Sequence, residues 1–307
     1  MAAKHWNILY RGPLSSCNYD CSYCPFAKTT NTAEELREDA HRLQRFTNWV
    51  DAQGADPERT ISFLITPWGE AIIHRHYQQA LHDLSHLPHV KRIAIQTNLS
   101  FKKLDWLAGC DLGSVALWTT YHPTQVDLEV FLERCLELHK MGVDFSVGVV
   151  GFKEALDEIR TLRERLPESV YLWVNAYKRD ADYYSADDIA AFEQVDPLFR
   201  MNARYHPSRG LACRAGHSSF SVDGDGYARR CHFIDQPIGN IYIPGFEDGL
   251  KESPQACTNE TCGCHIGYVH MAEPLDLYGV FGDGVMERIP RAADWQKKAR
   301  DVMAQLS

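Results

Sequence analysis

The chain has 307 residues, a length that fits one large domain or a domain of about 200 residues plus a smaller one. Hydrophobic residues make up 45% and charged residues 24%, the balance of a chain with a substantial core, and no run approaches the ~18 consecutive apolar residues of a membrane span. A formal net charge of −9 argues against nucleic acid as the main partner, since phosphate binding draws on clustered Lys and Arg; Lys102-Lys103 and Lys297-Lys298-Arg300 are short patches that read as solvated faces. The start, Met1-Ala2-Ala3-Lys4-His5-Trp6, leads into a strand with no apolar signal region, so the expected location is cytoplasmic, without membrane attachment.

From about residue 7 to 205 strand-like and helix-like runs alternate. The first strand, Ile8–Tyr10, precedes a helix capped by Thr32 with Glu35 three residues on, in the form of a capping box. Leu36, Ala40, Leu43, Phe46 and Val50 then recur at three- and four-residue steps and mark one buried helix face. The order continues with strand Ile61–Thr66, helix His74–Ser85, and strands Val90–Thr97 and Val115–Thr120. Helix Leu128–Lys140, strand Phe145–Val150, helix Glu154–Arg165 and strand Val170–Asn175 complete the alternation. The strands are short, apolar and mostly rich in β-branched residues, as parallel strands covered on both faces are. Six such strands interleaved with helices predict an α/β fold with a parallel sheet, and leave open a doubly wound sheet or a partial barrel. The texture changes near His206-Pro207-Ser208-Arg209-Gly210, where a boundary is expected. Beyond it lie short strands at Ser219–Val222 and Tyr227–Cys231, and a final helix at Ala292–Gln305.

Ten cysteines in a chain expected to stay in a reducing compartment point to metal or redox chemistry. Three lie in Cys17-Asn-Tyr-Asp-Cys21-Ser-Tyr-Cys24, directly after the first strand, and five fall between Cys213 and Cys264. Cys110 and Cys135 stand alone and read as buried thiols. Three thiolates in one compact loop can wrap three irons of a cubane cluster and leave the fourth iron for another ligand. The competing reading is zinc, which prefers a fourth Cys or His nearby, and none follows at typical spacing. In the second group, Asp223-Gly224-Asp225-Gly226 predicts a hairpin that brings Cys213 towards Cys231. A centre joining Cys213 to Cys264 closes a loop of about 50 residues at a cost of roughly 3–4 kcal/mol, which strong metal–thiolate bonds can meet. Here too a zinc knot with four cysteine ligands is the alternative.

Cys-x3-Cys-x2-Cys with Tyr23 before the last cysteine, after strand one of an α/β chain, resembles the signature of the radical S-adenosylmethionine (SAM) superfamily. The resemblance implies a partial (β/α)6 barrel over residues 1–205, a 4Fe-4S cluster on Cys17, Cys21 and Cys24, and SAM chelating the open iron. It also implies reductive cleavage to a 5′-deoxyadenosyl radical that abstracts hydrogen from substrate. Thr66-Pro67-Trp68-Gly69-Glu70 is similar to the family's Gly-Gly-Glu element, with Trp68 in place of the first Gly; Gly69 and Glu70 would then meet the SAM ammonium. Thr97-Asn98 resembles the Thr-Asn element near SAM, Gly151 belongs to a strand similar to the one packing on the adenine, and Asn175 ends strand six.

Cys213-x12-Gly226-x4-Cys231, followed by Cys257, Cys262 and Cys264, resembles the twitch or SPASM extension. That implies a small cysteine-rich α+β domain, 206–307, holding an auxiliary 4Fe-4S cluster with one cysteine to spare. Phrases such as Cys231-His232-Phe233 and Gly239-Asn240-Ile241-Tyr242 resemble a bacterial subfamily of these proteins.

His122 is a candidate for proton transfer or a hydrogen-bonded structural histidine. Tyr177, with Lys178, Arg179, Asp180, Asp182 and Tyr183, reads as a substrate contact or as part of a solvated loop. His265 and His270 flank the last cysteines and could tune or ligate the second centre. The resemblance further implies an oxidation or cross-linking of a peptide or protein side chain, with electrons from a flavodoxin or ferredoxin. Dehydrogenation of a small molecule such as an aminoglycoside is the alternative, strengthened by the absence of an obvious peptide-recognition segment before residue 17. From other classes, an iron–sulfur electron-transfer protein and a zinc-stabilised binding module stay open.

Overall fold

A computed structural model describes residues 4–101, 103–272, 277–282, 285–292 and 294–304; Lys102 of the first basic patch and Gln305 of the final helix lie outside them. Six strands alternate with helices: β1 (His5–Arg11), β2 (Thr60–Ile65), β3 (Val90–Thr97), β4 (Val115–Tyr121), β5 (Asp144–Val150) and β6 (Leu172–Asn175). Between them run α1 (Ala33–Ala52), α2 (Arg75–Ser85), α3 (Leu128–Met141) and α4 (Leu156–Arg165). The Thr32 and Glu35 capping box forms as expected, and Leu43, Phe46 and Val50 are buried on one face of α1. Helix α4 begins two residues later than expected because Lys153–Ala155 forms a 3-10 turn first.

After β6 come α5 (Ala186–Glu193) and α6 (Phe199–Asn202), then short strands β7 (His206–Pro207) and β8 (Ala212–Cys213). Next are β9 (Ser219–Asp223), β10 (Tyr227–Cys231), β11 (Ile234–Asn240), β12 (Gln255–Ala256) and β13 (Thr261–Cys262). Helices α7 (His265–Tyr268), α8 (Tyr278–Phe281) and α9 (Trp295–Ala304) follow. Nine strands share one sheet in the order β11-β10-β9-β1-β2-β3-β4-β5-β6. β1 to β6 are mutually parallel, and β9 joins the free edge of β1, also in parallel. The expected hairpin at Asp223–Gly226 forms, with Gly226 at φ +85° and β10 antiparallel to β9. β8 pairs with β12, and β7 with β13, in two small ladders beside the sheet.

Side-chain alternation along each strand feeds two cores. Ile8, Tyr10, Phe63, Ile65, Ile93, Ile95, Val147 and Val149 pack outward beneath the helices. Leu9, Leu64, Ala94, Ala116, Trp118 and Trp173 face inward, where Ile266, Val269, Met271, Phe281, Val285, Met286 and Val302 cover them. The C-terminal segment therefore fills the concave side of the sheet. Space remains at the carboxyl ends of the strands, where β1, β2, β3 and β4 deliver their loops side by side. No helix among the described residues is long and apolar enough to cross a membrane.

Candidate functional site

The loop after β1 is pinned at both ends before it reaches its cysteines. Asp39, buried on α1, accepts from Leu14 N at 3.2 Å and from the Tyr77 hydroxyl at 3.0 Å, and pairs with His76 Nε2 at 2.9 Å. Asn31 Oδ1 accepts the Ser15 and Ser16 amides at 2.9 and 2.8 Å. Asp39→Ala leaves these buried donors without an acceptor, so it is expected to cost about 2–4 kcal/mol, read as a lower urea midpoint at unchanged slope. The loop after β2 lies against the same stretch, with Trp68 N donating to Leu14 O and Glu70 N to Ser16 O, both at 3.0 Å.

Cys17, Cys21 and Cys24 line one cavity with Arg11, Trp68, Glu70 and Asn98. Cys17 Sγ accepts from Tyr19 N at 3.4 Å and from Asn98 Nδ2 at 3.8 Å. Burial raises the thiol pKa values of Cys17 and Cys21. Glu70 is only 3% exposed. The Thr97 hydroxyl donates to its Oε1 at 2.7 Å and the Asn98 amide to its Oε2 at 2.7 Å, while Ile72 N reaches Oε1 at 3.3 Å. Leu99, at φ +58°, holds the turn that aims the Asn98 amide at the carboxylate. No cation among the described residues pairs with Glu70, and burial lifts its carboxyl to about 7. A buried carboxylate that already has three donors and no counter-ion fits a cationic amino group.

His122 lies in the same cavity, with Nδ1 2.7 Å from the Tyr23 hydroxyl and 3.4 Å from Cys21 Sγ. Burial drops its pKa to about 4. Tyr23 also lines a neighbouring cavity with Phe152, Tyr177 and Arg179. Its ring meets Phe152 at 5.2 Å, and Phe152 meets Tyr177 at 5.2 Å. Gly151 N donates to Asn175 O at 2.9 Å, and a side chain at 151 would strike Val174 Cγ1 at 2.7 Å. The Asn175 side chain is exposed at the end of β6. The segment after β6 ties both cysteine groups together: Arg179 donates to Tyr23 O at 2.9 Å, and Lys178 donates to Gly263 O and, at 2.7 Å, to Asn202 O. Burial brings Lys178 down to about 8.

The second cysteine group gathers from β8, β10 and the β12–β13 connection. Cys213, Cys231, Cys257 and Cys262 all lie within electrostatic reach of one another. Cys264 is exposed and lies within electrostatic reach of Cys262, Arg11 and Lys178. Burial pushes Cys231 up to about 11 and Cys262 up to about 12. His265 Nε2 bonds Val285 O at 3.1 Å, and both ring nitrogens of His270 are taken, by the Tyr278 hydroxyl at 2.8 Å and Ser219 Oγ at 3.1 Å. These histidines belong to the packing of the C-terminal segment. Cys110 and Cys135 are buried, as expected.

Arg11, Asp39 and Asn31 belong to no motif in the sequence. The only signal for Arg11 was its position at the end of β1.

No family model and no curated protein matches the sequence. Among solved structures, the chain is similar to native anSMEcpe with bound AdoMet, at 15% identity and TM-score 0.51, over 97% of this chain and 96% of that one. It is similar also to a hexahistidine-tagged anSMEcpe with bound AdoMet, at 14% identity and TM-score 0.53, over 99% and 96%. Native anSMEcpe with bound AdoMet and the Cp18Cys peptide aligns at 14% identity and TM-score 0.52, over 98% and 96%. The chain shares its fold with anSMEcpe, a mostly parallel nine-stranded α/β sheet consistent with the expected partial barrel. On that fold, the cysteine loop after β1, Glu70 after β2 and Thr97-Asn98 after β3 lie at the carboxyl ends of adjacent strands, where barrel sites are built.

Proposed function

We propose that the protein is a radical SAM enzyme whose first cysteine loop holds a 4Fe-4S cluster and whose substrate is a peptide or protein side chain. The observation that carries the reading is the sharing of one cavity by Cys17, Cys21, Cys24 and a buried, uncompensated Glu70. The chemistry supplied by bound cluster and SAM is one-electron cleavage of the sulfonium and hydrogen-atom abstraction from substrate. Against zinc, no fourth Cys or His follows the first cysteine loop at typical spacing, whereas three thiolates suffice for a cubane whose fourth iron takes another ligand.

In this reading Glu70, held by Thr97 and Asn98, receives the amino group of SAM. Tyr23, Phe152 and Tyr177, beside Gly151 and Asn175, form the wall against which the adenine lies. Phe26, 47% exposed, packs on Trp68 at 4.4 Å and screens the cavity mouth from water. The peptide preference draws support from the likeness to anSMEcpe with its bound Cp18Cys peptide. In the same reading residues 206–307 are assigned to the auxiliary part of the chain, with Cys213, Cys231, Cys257 and Cys262 as ligands, since each pair of these four interacts electrostatically, and Cys264 as the spare.

The test is anaerobic reconstitution, an iron and sulfide count, and an assay for 5′-deoxyadenosine with a strong reductant. A colourless, zinc-loaded protein, or an iron protein that leaves SAM intact, would sink the proposal. For the ligand set, two clusters correspond to about eight irons per chain, and Cys257→Ala is expected to lose about four of them while Cys264→Ala keeps them all. Equal loss in both variants would reject this choice of spare.

A further inference from the structure

Arg11 ends β1 and lines the cavity that holds the first three cysteines. Its guanidinium lies 3.9 Å from the centre of the Trp68 ring. Nη1 donates to His232 Nε2 at 3.2 Å and Nη2 to Thr66 Oγ1 at 3.0 Å. Both acceptors are neutral atoms, and the buried Nε has no partner. No carboxylate among the described residues pairs with this side chain. Lys28, the other cation lining the cavity, is already engaged by Asp20 at 3.1 Å and by Cys21 O at 2.8 Å.

A guanidinium held rigidly by a stacked ring and two neutral acceptors keeps donors to spare in a planar fork, the geometry that suits a carboxylate or a phosphate. Among the described residues the side chain that favours its charge is the exposed thiol of Cys264; with burial so lightly compensated, the arrangement is stabilised when an anion arrives. Trp68 also acquires a purpose here, because a glycine at this position would leave the guanidinium without its platform. The indole, His232 and Thr66 fix the fork from three sides and leave the cavity side for a ligand.

We propose that Arg11 binds an anionic group of the substrate, a carboxylate or a phosphate, and so anchors the substrate beside the first cysteine loop. This rests on the radical SAM reading of the cavity and adds to it a charge requirement on the substrate. Trp68, Thr66 and His232 act as positioning residues for the fork. A substrate without an acidic group near its reacting carbon would then be turned over poorly.

The experiment is equilibrium dialysis of radiolabelled inorganic phosphate, and separately of acetate, against the reconstituted full chain at constant ionic strength. Wild type is expected to bind about one equivalent more of the preferred anion than Arg11→Gln, a difference that persists with SAM present. The anion showing the larger difference identifies the phosphate or the carboxylate source. Equal binding by wild type and Arg11→Gln for both anions overturns the proposal. Loss of the difference on adding SAM also overturns it, since the fork would then serve SAM's own carboxylate. Should Arg11→Gln lose its iron, Arg11→Lys keeps the charge without the fork, and anion binding is expected to fall roughly tenfold; unchanged binding in that variant counts against the fork. Failure of the radical SAM reading shows separately, as absence of 5′-deoxyadenosine from wild type whatever the dialysis gives.

Discussion

Gly69→Ala is expected to cost at least about 3 kcal/mol and, on the proposed reading, to abolish iron loading at the first cysteine loop, a far larger effect than an added methyl group suggests. A Cβ at position 69 would lie 1.8 Å from Ser16 O, 2.5 Å from Ser16 C and 2.9 Å from Ser16 N. All three are backbone atoms, so no rotamer change can relieve the overlap. The strand-like contacts on either side, Trp68 N to Leu14 O and Glu70 N to Ser16 O, would have to open. Cys17 is the next residue after Ser16, and it would move with the loop. Gly113→Ala is the control, because its Cβ meets only the Asp111 side chain, with a closest approach of 3.1 Å. Urea denaturation and iron content after reconstitution check both variants. A Gly69→Ala protein with wild-type iron and an unchanged urea midpoint would show that the two loops do not depend on this close approach.

The six parallel strands were legible because each is a short apolar run between helices with clear three- and four-residue repeats. Glu70 and Thr97-Asn98 were legible only in the company of Cys17, Cys21 and Cys24, since a Gly-Glu pair alone marks any strand-to-helix turn. The pairing of β9 with β1 was not legible, because strands so far apart in the chain leave no mark of their adjacency in local periodicity. The same holds for the C-terminal segment. Val285 and Met286 lie in a 3-10 turn too short to show a repeat, yet both are buried against the concave face. Asp39 looked like an ordinary polar position inside an amphipathic helix, and only tertiary structure reveals the Leu14 amide and Tyr77 hydroxyl it serves. Arg11 was hidden for a related reason: its meaning lies in the partners it lacks, which a sequence does not display.

On the proposed reading, Glu70→Gln is expected to weaken SAM binding by roughly 30- to 150-fold, the loss of about 2–3 kcal/mol for a hydrogen bond to a charged partner, while removing the pH dependence that this carboxyl gives the SAM-free protein. The second half follows from the sign of the shift. Burial raises the folded carboxyl from 4.5 to about 7, so folding favours the protonated form. The stability this group contributes is fully present below pH 4.5 and is lost as pH rises through about 7. Glutamine does not titrate and can still accept from Thr97, but its NH2 faces the Asn98 N–H, a cost of about 1–3 kcal/mol that does not vary with pH, so its stability is offset yet flat over the same window. From pH 5 to pH 8 the stability of the variant relative to wild type should therefore rise, by an amount of order 3 kcal/mol at most. Binding runs the other way, because a cationic amino group favours ionised Glu70. SAM affinity of wild type should rise about tenfold per pH unit up to neutrality and then level, apart from the titration of SAM's own amine. The ratio of wild-type to variant affinity removes that amine and isolates Glu70. Calorimetric titration and thermal melts across pH 5 to 8.5 measure both halves, and a ratio that does not change with pH would mean that Glu70 never meets the charge it is buried to receive.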